Sequence, residues 1–435
     1  MSATVRQRLA RAGYSLLVRG IVPLFWLKLR WRGRREALYA SAIGERFGFY
    51  RDAIVPGAVW LHAVSLGETR AAAPLMDALR RLRPGIRLVL THGTATGRAA
   101  GQALLGEGDR QLWLPFDTPG AVRRFVRRVA PAVGVLMETE IWPNLLAAAA
   151  RDGVPVVLAN ARLSERSRHR GARVDALLRP AFASLASALA QSDADALRLR
   201  AAGVGEVRIV GNLKYDVAPD LELLERGRGW RTRVAGGVVL AASTREGEEA
   251  ELLAAWRATP APRPLLVVVP RHPQRFDAVA EMIAAAGLTL SRRSAWVAGQ
   301  PPVDADRVDV WLGDSMLEMP AWYAFADVAL LGGSFAPLGG QNLIEAAACG
   351  CPLVLGPHTF NFSDAAELAI AAGAATRVAD LGTGVAAAIA LASAAGAPAR
   401  GQQSEAARAF ASAHRGAAER MARRILEVAD SHRRA

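Results

Sequence analysis

Residues 58–82 read AVWLHAVSLGETRAAAPLMDALRRL, and this stretch decides the fold. A largely apolar run over 58–65 has the length of a strand. A small polar turn follows, and the apolar residues of 68–82 then recur at helical spacing. The same rhythm returns in apolar runs at 87–92, 111–116, 132–138, 154–159, 187–191 and 207–210, with a second clear helical pattern over 118–129. Strands that are apolar throughout and alternate with helices predict a parallel sheet covered on both faces. The rhythm pauses over 211–236, where glycines and Asp216-Val217-Ala218-Pro219-Asp220 mark a break. It resumes at 238–242, 265–269, 309–312, 328–331 and 353–355, so the expectation is an α/β protein with two Rossmann-like domains facing one cleft.

The domain division expected from this reading is an N-terminal membrane-anchoring segment over 1–36, a first Rossmann-like domain over 37–212 and a hinge over 213–236. A second Rossmann-like domain over 237–402 and C-terminal helices over 403–435 complete it. A chain of 435 residues that is 51% hydrophobic and 22% charged can bury two such cores, which excludes a disordered or disulfide-stapled peptide. The two cysteines, Cys349 and Cys351, are too close for an ordinary disulfide and too few for a structural zinc site.

The net charge of +14 is concentrated at the start, where the first 36 residues hold nine basic side chains against Glu36. Interleaved with Tyr14, Leu16, Leu17, Ile21, Leu24, Phe25, Trp26 and Trp31, they suit an anionic membrane surface and not a nucleic acid. The uncharged run 20–27 is far shorter than the roughly 20 residues of a membrane span, so a shallow anchor is expected. Arg19 and Pro23 interrupt the wider stretch, and Lys28, Arg30 and Arg32 should stay cytoplasmic.

Several residues have the chemistry of a site. Glu68 falls in the first turn of the helix after the first strand, where the helix dipole favours a carboxylate and keeps it ionised, able to accept a proton near neutral pH. An acidic helix-start residue with no catalytic part reads equally from that spacing. Glu138 and Glu140 end the strand 132–138 at the same sheet edge and need a cationic partner. Lysine occurs only at Lys28 and Lys214 among 54 basic residues, which singles out Lys214 as that partner. In the second half, Gly332-Gly333 and Gly339-Gly340 would let the backbone approach a nucleotide phosphate at the helix that begins after Asn342, while Glu345 would take a ribose. Arg271 and His272, at the end of 265–269, would face the same cleft. Neither half carries G-x-G-x-x-G, so no nicotinamide or flavin is expected. The scattered histidines argue against a metal, and Ser65 lies in no hydrolase elbow.

Taken in order, the motifs closely resemble the Kdo (3-deoxy-D-manno-octulosonic acid) transferase family of lipid A biosynthesis. They are Gly44-Glu45-Arg46-Phe47-Gly48, 62–68 (HAVSLGE), Leu114-Pro115-Phe116-Asp117, 138–144 (ETEIWPN), 160–164 (NARLS), 211–216 (GNLKYD), 243–249 (STREGEE), 270–273 (PRHP) and 356–362 (GPHTFNF). The resemblance implies a GT-B glycosyltransferase that moves Kdo from CMP-Kdo to the lipid A precursor lipid IV-A with inversion, at the inner membrane and with no metal cofactor. By motif, Glu68 would be the proton acceptor, and Glu138 and Lys214 would stabilise the transition state, with Glu138 against Glu140 left to geometry. Arg271, His272, Met316, Leu317, Glu318, Asn342, Leu343, Ile344 and Glu345 would contact the donor. The sequence departs from the family's usual glycine at Leu317, proline at Leu343 and histidine at Gln341. A sugar-nucleotide transferase or epimerase with another donor, or a non-catalytic membrane or nucleic-acid binder, is the competing reading.

Overall fold

The computed structural model describes residues 4–51, 53–216, 218–302 and 307–434. Residues 1–3 of the N-terminal segment, Val217 of the hinge segment and the terminal Ala435 lie outside the described residues. The chain forms two compact units, the first built from Met1–Asp216 with Arg415–Ala435 and the second from Val217–His414.

The first unit holds a seven-stranded sheet of β1 (Val59–His62), β2 (Leu88–His92), β3 (Arg110–Trp113), β4 (Val133–Met137), β5 (Val156–Ala161), β6 (Ser187–Ala190) and β7 (Val207–Ile209). Their order is β3-β2-β1-β4-β5-β6-β7 and each pairing is parallel, with Leu61 opposite both Leu90 and Val135. The chain winds outward from β1 to β3 and then crosses back to lay β4 on the other side of β1. The loops leaving β1 and β4 therefore run in opposite directions and open a crevice at the carboxyl edge. Apolar side chains fill both faces. On one, Trp60 meets Phe125 edge-on at 4.9 Å; on the other, Leu75 and Leu79 of the helix Leu66–Leu82 share a core with Met421 and Ile425.

The second unit repeats the plan with β8 (Val238–Thr244), β9 (Leu265–Pro270), β10 (Leu290–Arg292), β11 (Val310–Leu312), β12 (Val328–Leu331), β13 (Leu353–Leu355) and β14 (Ala375–Arg377), in the order β10-β11-β9-β8-β12-β13-β14. Here the winding reverses beside β8, so the ends of β8 and β12 flank the crevice. The edge strands β10 and β14 are absent from the sequence expectation. Edge strands are half exposed, and theirs are polar, partly exposed residues that make no apolar run.

The closing segment expected over 403–435 is shared between the units. The helix Ala397–Ala413 belongs to the second, whereas the helix Ala417–Arg434 returns to the first. The turn between them places Gly416 at φ +90°, and the Asp216 carboxylate accepts from the N–H groups of Gly416 and Ala418. The segment expected as a hinge is divided as well: Leu213–Asp216 is a tight turn of the first unit and Leu221–Arg231 a helix of the second.

The N-terminal segment is one helix, Val5–Gly33, opened by a capping box between Thr4 and Gln7 and carried through Pro23. It is long and apolar enough to cross a membrane, which the short uncharged run in the sequence does not suggest. Of its residues only Ser15 is buried. Tyr14 Oη donates to Asp117 Oδ2 at 2.9 Å and Ser15 Oγ to Asn144 Oδ1 at 3.0 Å, fixing the helix to the first unit.

Because Ile425 is fully buried against the helix Leu66–Leu82, the closing helix is part of the first unit's core. Ile425→Ala should cost about 2–5 kcal/mol in a urea titration. A loss below about 0.5 kcal/mol would make that helix a surface appendage.

Candidate active site

Sequence and topology meet at the crevice between β1 and β4. Ser65 caps the helix Leu66–Leu82, accepting from Glu68 N at 3.4 Å and donating to Glu68 Oε1 at 3.2 Å, while Val64 N donates to Glu68 Oε2 at 2.8 Å. Both carboxylate oxygens are thus held by the peptide that leads into Glu68's own helix. Burial pushes this carboxyl up from 4.5 to about 7; the Val64 N–H works against the rise, and Glu140 and Glu138 add to it. The helix dipole invoked from sequence acts the other way and is outweighed. A carboxyl poised near 7 is matched to accepting a proton at neutral pH.

Glu138 is the first residue beyond β4. Its N–H donates to Ala159 O at 2.9 Å and its carbonyl accepts from Arg162 N at 3.2 Å. These bonds hold it at φ +55°, a left-handed conformation that costs a non-glycine residue roughly 1–2 kcal/mol. Glu140 follows on the same loop, its carboxyl raised by burial and by Glu138. Lys214 is pulled down by burial, supported by the charge of Glu138 and opposed by Arg162. Its turn is locked by amides: buried Asn160 Oδ1 accepts from Leu213 N at 3.1 Å, Gln191 Nε2 donates to Asn160 O at 2.9 Å, and Asn212 Nδ2 donates to Gln191 Oε1 at 2.8 Å. The structure therefore brings Glu68, Glu138, Glu140 and Lys214 into one electrostatic neighbourhood.

In the second unit, Gly332 follows β12 so closely beside β8 that a Cβ would stand 2.4 Å from Ser243 O. The buried Glu248 carboxylate accepts from the N–H groups of Arg245 (2.9 Å), Gly333 (2.8 Å), Phe335 (3.2 Å) and Ala336 (3.3 Å). Gly340 N donates to Gly333 O at 2.7 Å. The Gly333 and Gly340 N–H groups expected to meet a phosphate are thus committed within the protein. Arg271 is exposed and joined to the next turn, its Nε donating to Gln341 Oε1 at 3.2 Å. His272, also exposed, is held below its usual range by partial burial and by Arg245, Arg271 and Arg275. Asn342 caps the short helix Leu343–Ala348 by accepting from Ile344 N at 3.1 Å. Leu343 and Ile344 are buried, with the Ile344 N–H already taken by Asn342, and Glu345 is half-buried. Leu343 occupies the first helical position, where proline also fits.

Past β11, Met316 and Leu317 are exposed, with Leu317 at φ +66°, a conformation that explains glycine's suitability there. Glu318 is engaged internally by Arg226 at 2.8 Å and Arg293 at 2.7 Å. Sequence reasoning passed over Arg162, Asn160, Gln191 and Glu248. Asn160 and Arg162 lie in the 160–164 motif and Glu248 in 243–249, but spacing alone does not show what a buried polar group holds.

Folding lifts the pKa of Glu68, so between pH 4.5 and about 7 the folded unit keeps a proton that the unfolded chain has released. The first unit therefore loses stability as pH rises through that window. A carbon-detected NMR titration should find one carboxyl titrating near pH 7, missing in Glu68→Ala and moved to lower pH in Glu138→Gln. Titration of Glu68 in the ordinary carboxylate range would break the link to its neighbours.

The family model for 3-deoxy-D-manno-octulosonic-acid transferase (kdotransferase) matches residues 41–217. A 3-deoxy-D-manno-octulosonic acid transferase of Bordetella pertussis is 50% identical over 428 residues, which cover 95% of this chain and 98% of that protein. The transferase of the same name from Haemophilus influenzae is 36% identical over 334 residues, 75% of this chain and 77% of its own. Among solved structures, Anabaena HepE in complex with UDP superposes with a TM-score of 0.53 at 15% identity, covering 85% of this chain and 99% of that one, a likeness of fold alone. With two Rossmann-like units of the GT-B kind and a Kdo transferase of Bordetella pertussis similar over almost its whole length, the chain belongs to the Kdo transferase family of glycosyltransferases.

Proposed function

We propose that this Kdo transferase moves Kdo from CMP-Kdo to a hydroxyl of lipid IV-A in one inverting displacement, with Glu68 as the proton acceptor. The observation that carries the reading is the Glu68 carboxyl, raised to about 7 at the β1/β4 crevice. The acceptor oxygen attacks the anomeric carbon as its proton passes to Glu68, and the bond from that carbon to the CMP phosphate breaks, releasing CMP. Positive charge builds on the sugar ring and negative charge on the departing phosphate. Glu138 faces the first of these and Lys214 the second, together with the donor's own carboxylate. The strained backbone at Glu138, and not at Glu140, favours Glu138 as the fixed partner of Lys214.

On the second unit, Arg271 and His272 take the donor phosphate. Backbone groups of Met316, Leu317 and Asn342, with the Glu345 carboxylate, take the nucleoside, and buried Leu343 and Ile344 support the helix start beneath them. The Glu318 carboxylate, occupied by two arginines, positions that loop instead of binding the ligand directly. The helix Val5–Gly33 attaches the enzyme to the cytoplasmic face of the inner membrane, where its basic residues meet anionic lipid. No metal and no nucleic acid take part in this scheme, since Lys214 and Arg271 supply the positive charge.

The test is CMP release by solubilised protein supplied with CMP-Kdo and lipid IV-A in EDTA. Wild type should turn over, with kcat/KM falling on the acid side of about pH 7. Glu68→Ala should lose about 10²–10⁴-fold in kcat. Undiminished turnover by Glu68→Ala would place the base elsewhere, and competition by UDP in preference to CMP would change the donor.

A further inference from the structure

A cavity of about 380 Å³ lies within the first unit, between the helix Val5–Gly33 and the carboxyl ends of β1, β2 and β3. Val18, Ile21, Val22 and Phe25 wall it from the helix side, and Leu114 and Phe116 from the sheet side. Sites of roughly 300–1,000 Å³ hold small ligands, and one near the lower end has room for a single slender apolar group.

Among the described residues, two side-chain nitrogens of the cavity's lining residues are buried without a hydrogen-bond partner, the indole N–H of Trp142 and His62 Nε2, and only the second can be an acceptor. His62 is fully buried and lines the cavity. Its Nδ1 lies 3.1 Å from Thr91 O and 2.9 Å from Thr91 Oγ1. Thr91 Oγ1 already accepts from Trp60 Nε1 at 2.8 Å and has Leu61 O within 3.4 Å as its own acceptor. A carbonyl can only accept, so this network assigns the proton to Nδ1 and leaves Nε2 as a bare acceptor. Nε2 has no hydrogen-bond partner among the described residues. A buried acceptor of this kind calls for a ligand that brings a hydroxyl or an amide N–H.

Two further features locate the ligand's ends. Val64 lines the cavity, and its N–H is the group that holds Glu68 Oε2 at 2.8 Å, so the cavity abuts the proton acceptor. Lys28, Arg32 and Arg46 also line it and supply cations to an anionic head. The opposite face of the helix exposes Leu16, Leu17, Leu24 and Leu27. An occupant that is apolar along its length, bears a donor near one end and carries an anionic head is an acylated sugar phosphate drawn from a bilayer.

We propose that this cavity holds one acyl chain of the lipid acceptor, with a hydroxyl or amide N–H near the head of that chain donating to His62 Nε2. The inference rests on the transfer reading above and adds to it the place where the acceptor is gripped. The test uses full-length protein in phosphatidylglycerol nanodiscs, supplied with lipid IV-A or with its fully de-acylated, water-soluble counterpart. In Val22→Trp, which fills the cavity, the ratio of kcat/KM for the acylated over the de-acylated acceptor should fall at least tenfold. A ratio within twofold of wild type, in protein of unchanged Tm, overturns the proposal.

A binding arm needs no turnover. A twelve-carbon diazirine fatty acid should label residues around Val18 and Phe116 in wild type, and the labelling should disappear in Val22→Trp. A probe hydroxylated near its carboxyl end should label several-fold better than the plain chain, and His62→Leu should abolish that preference. Labelling confined to the outer face around Leu16 and Leu17 overturns the cavity as the site. If wild type transfers to neither acceptor, the transfer reading fails, and the labelling pattern alone decides the cavity.

Discussion

Three carboxylates crowd one half-buried crevice, and holding them together is the constraint that the rest of the first unit meets. Burial disfavours the charged carboxylate, and the neighbouring charges of Glu140 and Glu138 add to the effect, so Glu68 retains a proton to about pH 7. Each member is kept in place by backbone. Glu68 is held by the capping peptide Val64-Ser65, and Glu138 is pinned at positive φ by its bonds to Ala159 and Arg162. Lys214, the compensating cation, is fixed by the amide chain of Asn160, Gln191 and Asn212. Were any of these supports to relax, the carboxylates could turn toward water and the shift would vanish. A carboxyl held near pH 7 therefore requires the stiffness of β4, β5 and the 212–216 turn together.

The second unit obeys a related rule with the opposite outcome. Glu248 is also buried, but it is satisfied by four backbone N–H groups around Gly333 and Arg245. That carboxylate is spent on shaping a loop and is not available for proton transfer. Glu249 beside it is fully buried and bound to Arg275 at 3.0 Å. The two settings differ: Glu248 and Glu249 are bound by several backbone donors and by arginine, whereas at Glu68 the Val64 N–H and Ser65 only partly offset burial and the neighbouring carboxylates.

This division explains what the sequence could and could not show. Strands buried on both faces are largely apolar, so β1, β4, β8 and β12 stand out, and the topological crevice follows from their order. The partly exposed β10 and β14 leave no such signature. Glu68 is visible as a helix-start acid, yet its pKa depends first on burial in the folded unit and then on Glu140 and Glu138, some 70 residues away in the chain, and no local pattern carries that information. The glycine pairs after β12 are read from sequence as the approach of backbone to a phosphate. In the fold, Gly332 approaches Ser243 O and Gly333 N donates to the Glu248 carboxylate, which no local pattern shows. The closing helix is ambiguous for the same reason: its amphipathic pattern demands a partner without saying which unit provides it.

The N-terminal helix shows how an apparently peripheral element bears on the chemistry. Tyr14 donates to Asp117, and the same carboxylate accepts from Asn144 N at 3.1 Å and Leu145 N at 2.8 Å, capping the helix Pro143–Arg151. Asn144 in turn receives Ser15 and donates to Asp117 O at 2.7 Å. The loop that enters this capped helix carries Glu138 and Glu140. Asp117 and Asn144, drawn from two separate motifs, therefore bind the membrane-compatible helix to the loop on which two of the three crevice acids stand. Displacing the helix would take the Tyr14 and Ser15 bonds from Asp117 and Asn144, the two residues that start Pro143–Arg151, so the seating of the helix bears on the footing of the loop that carries two of the crevice acids.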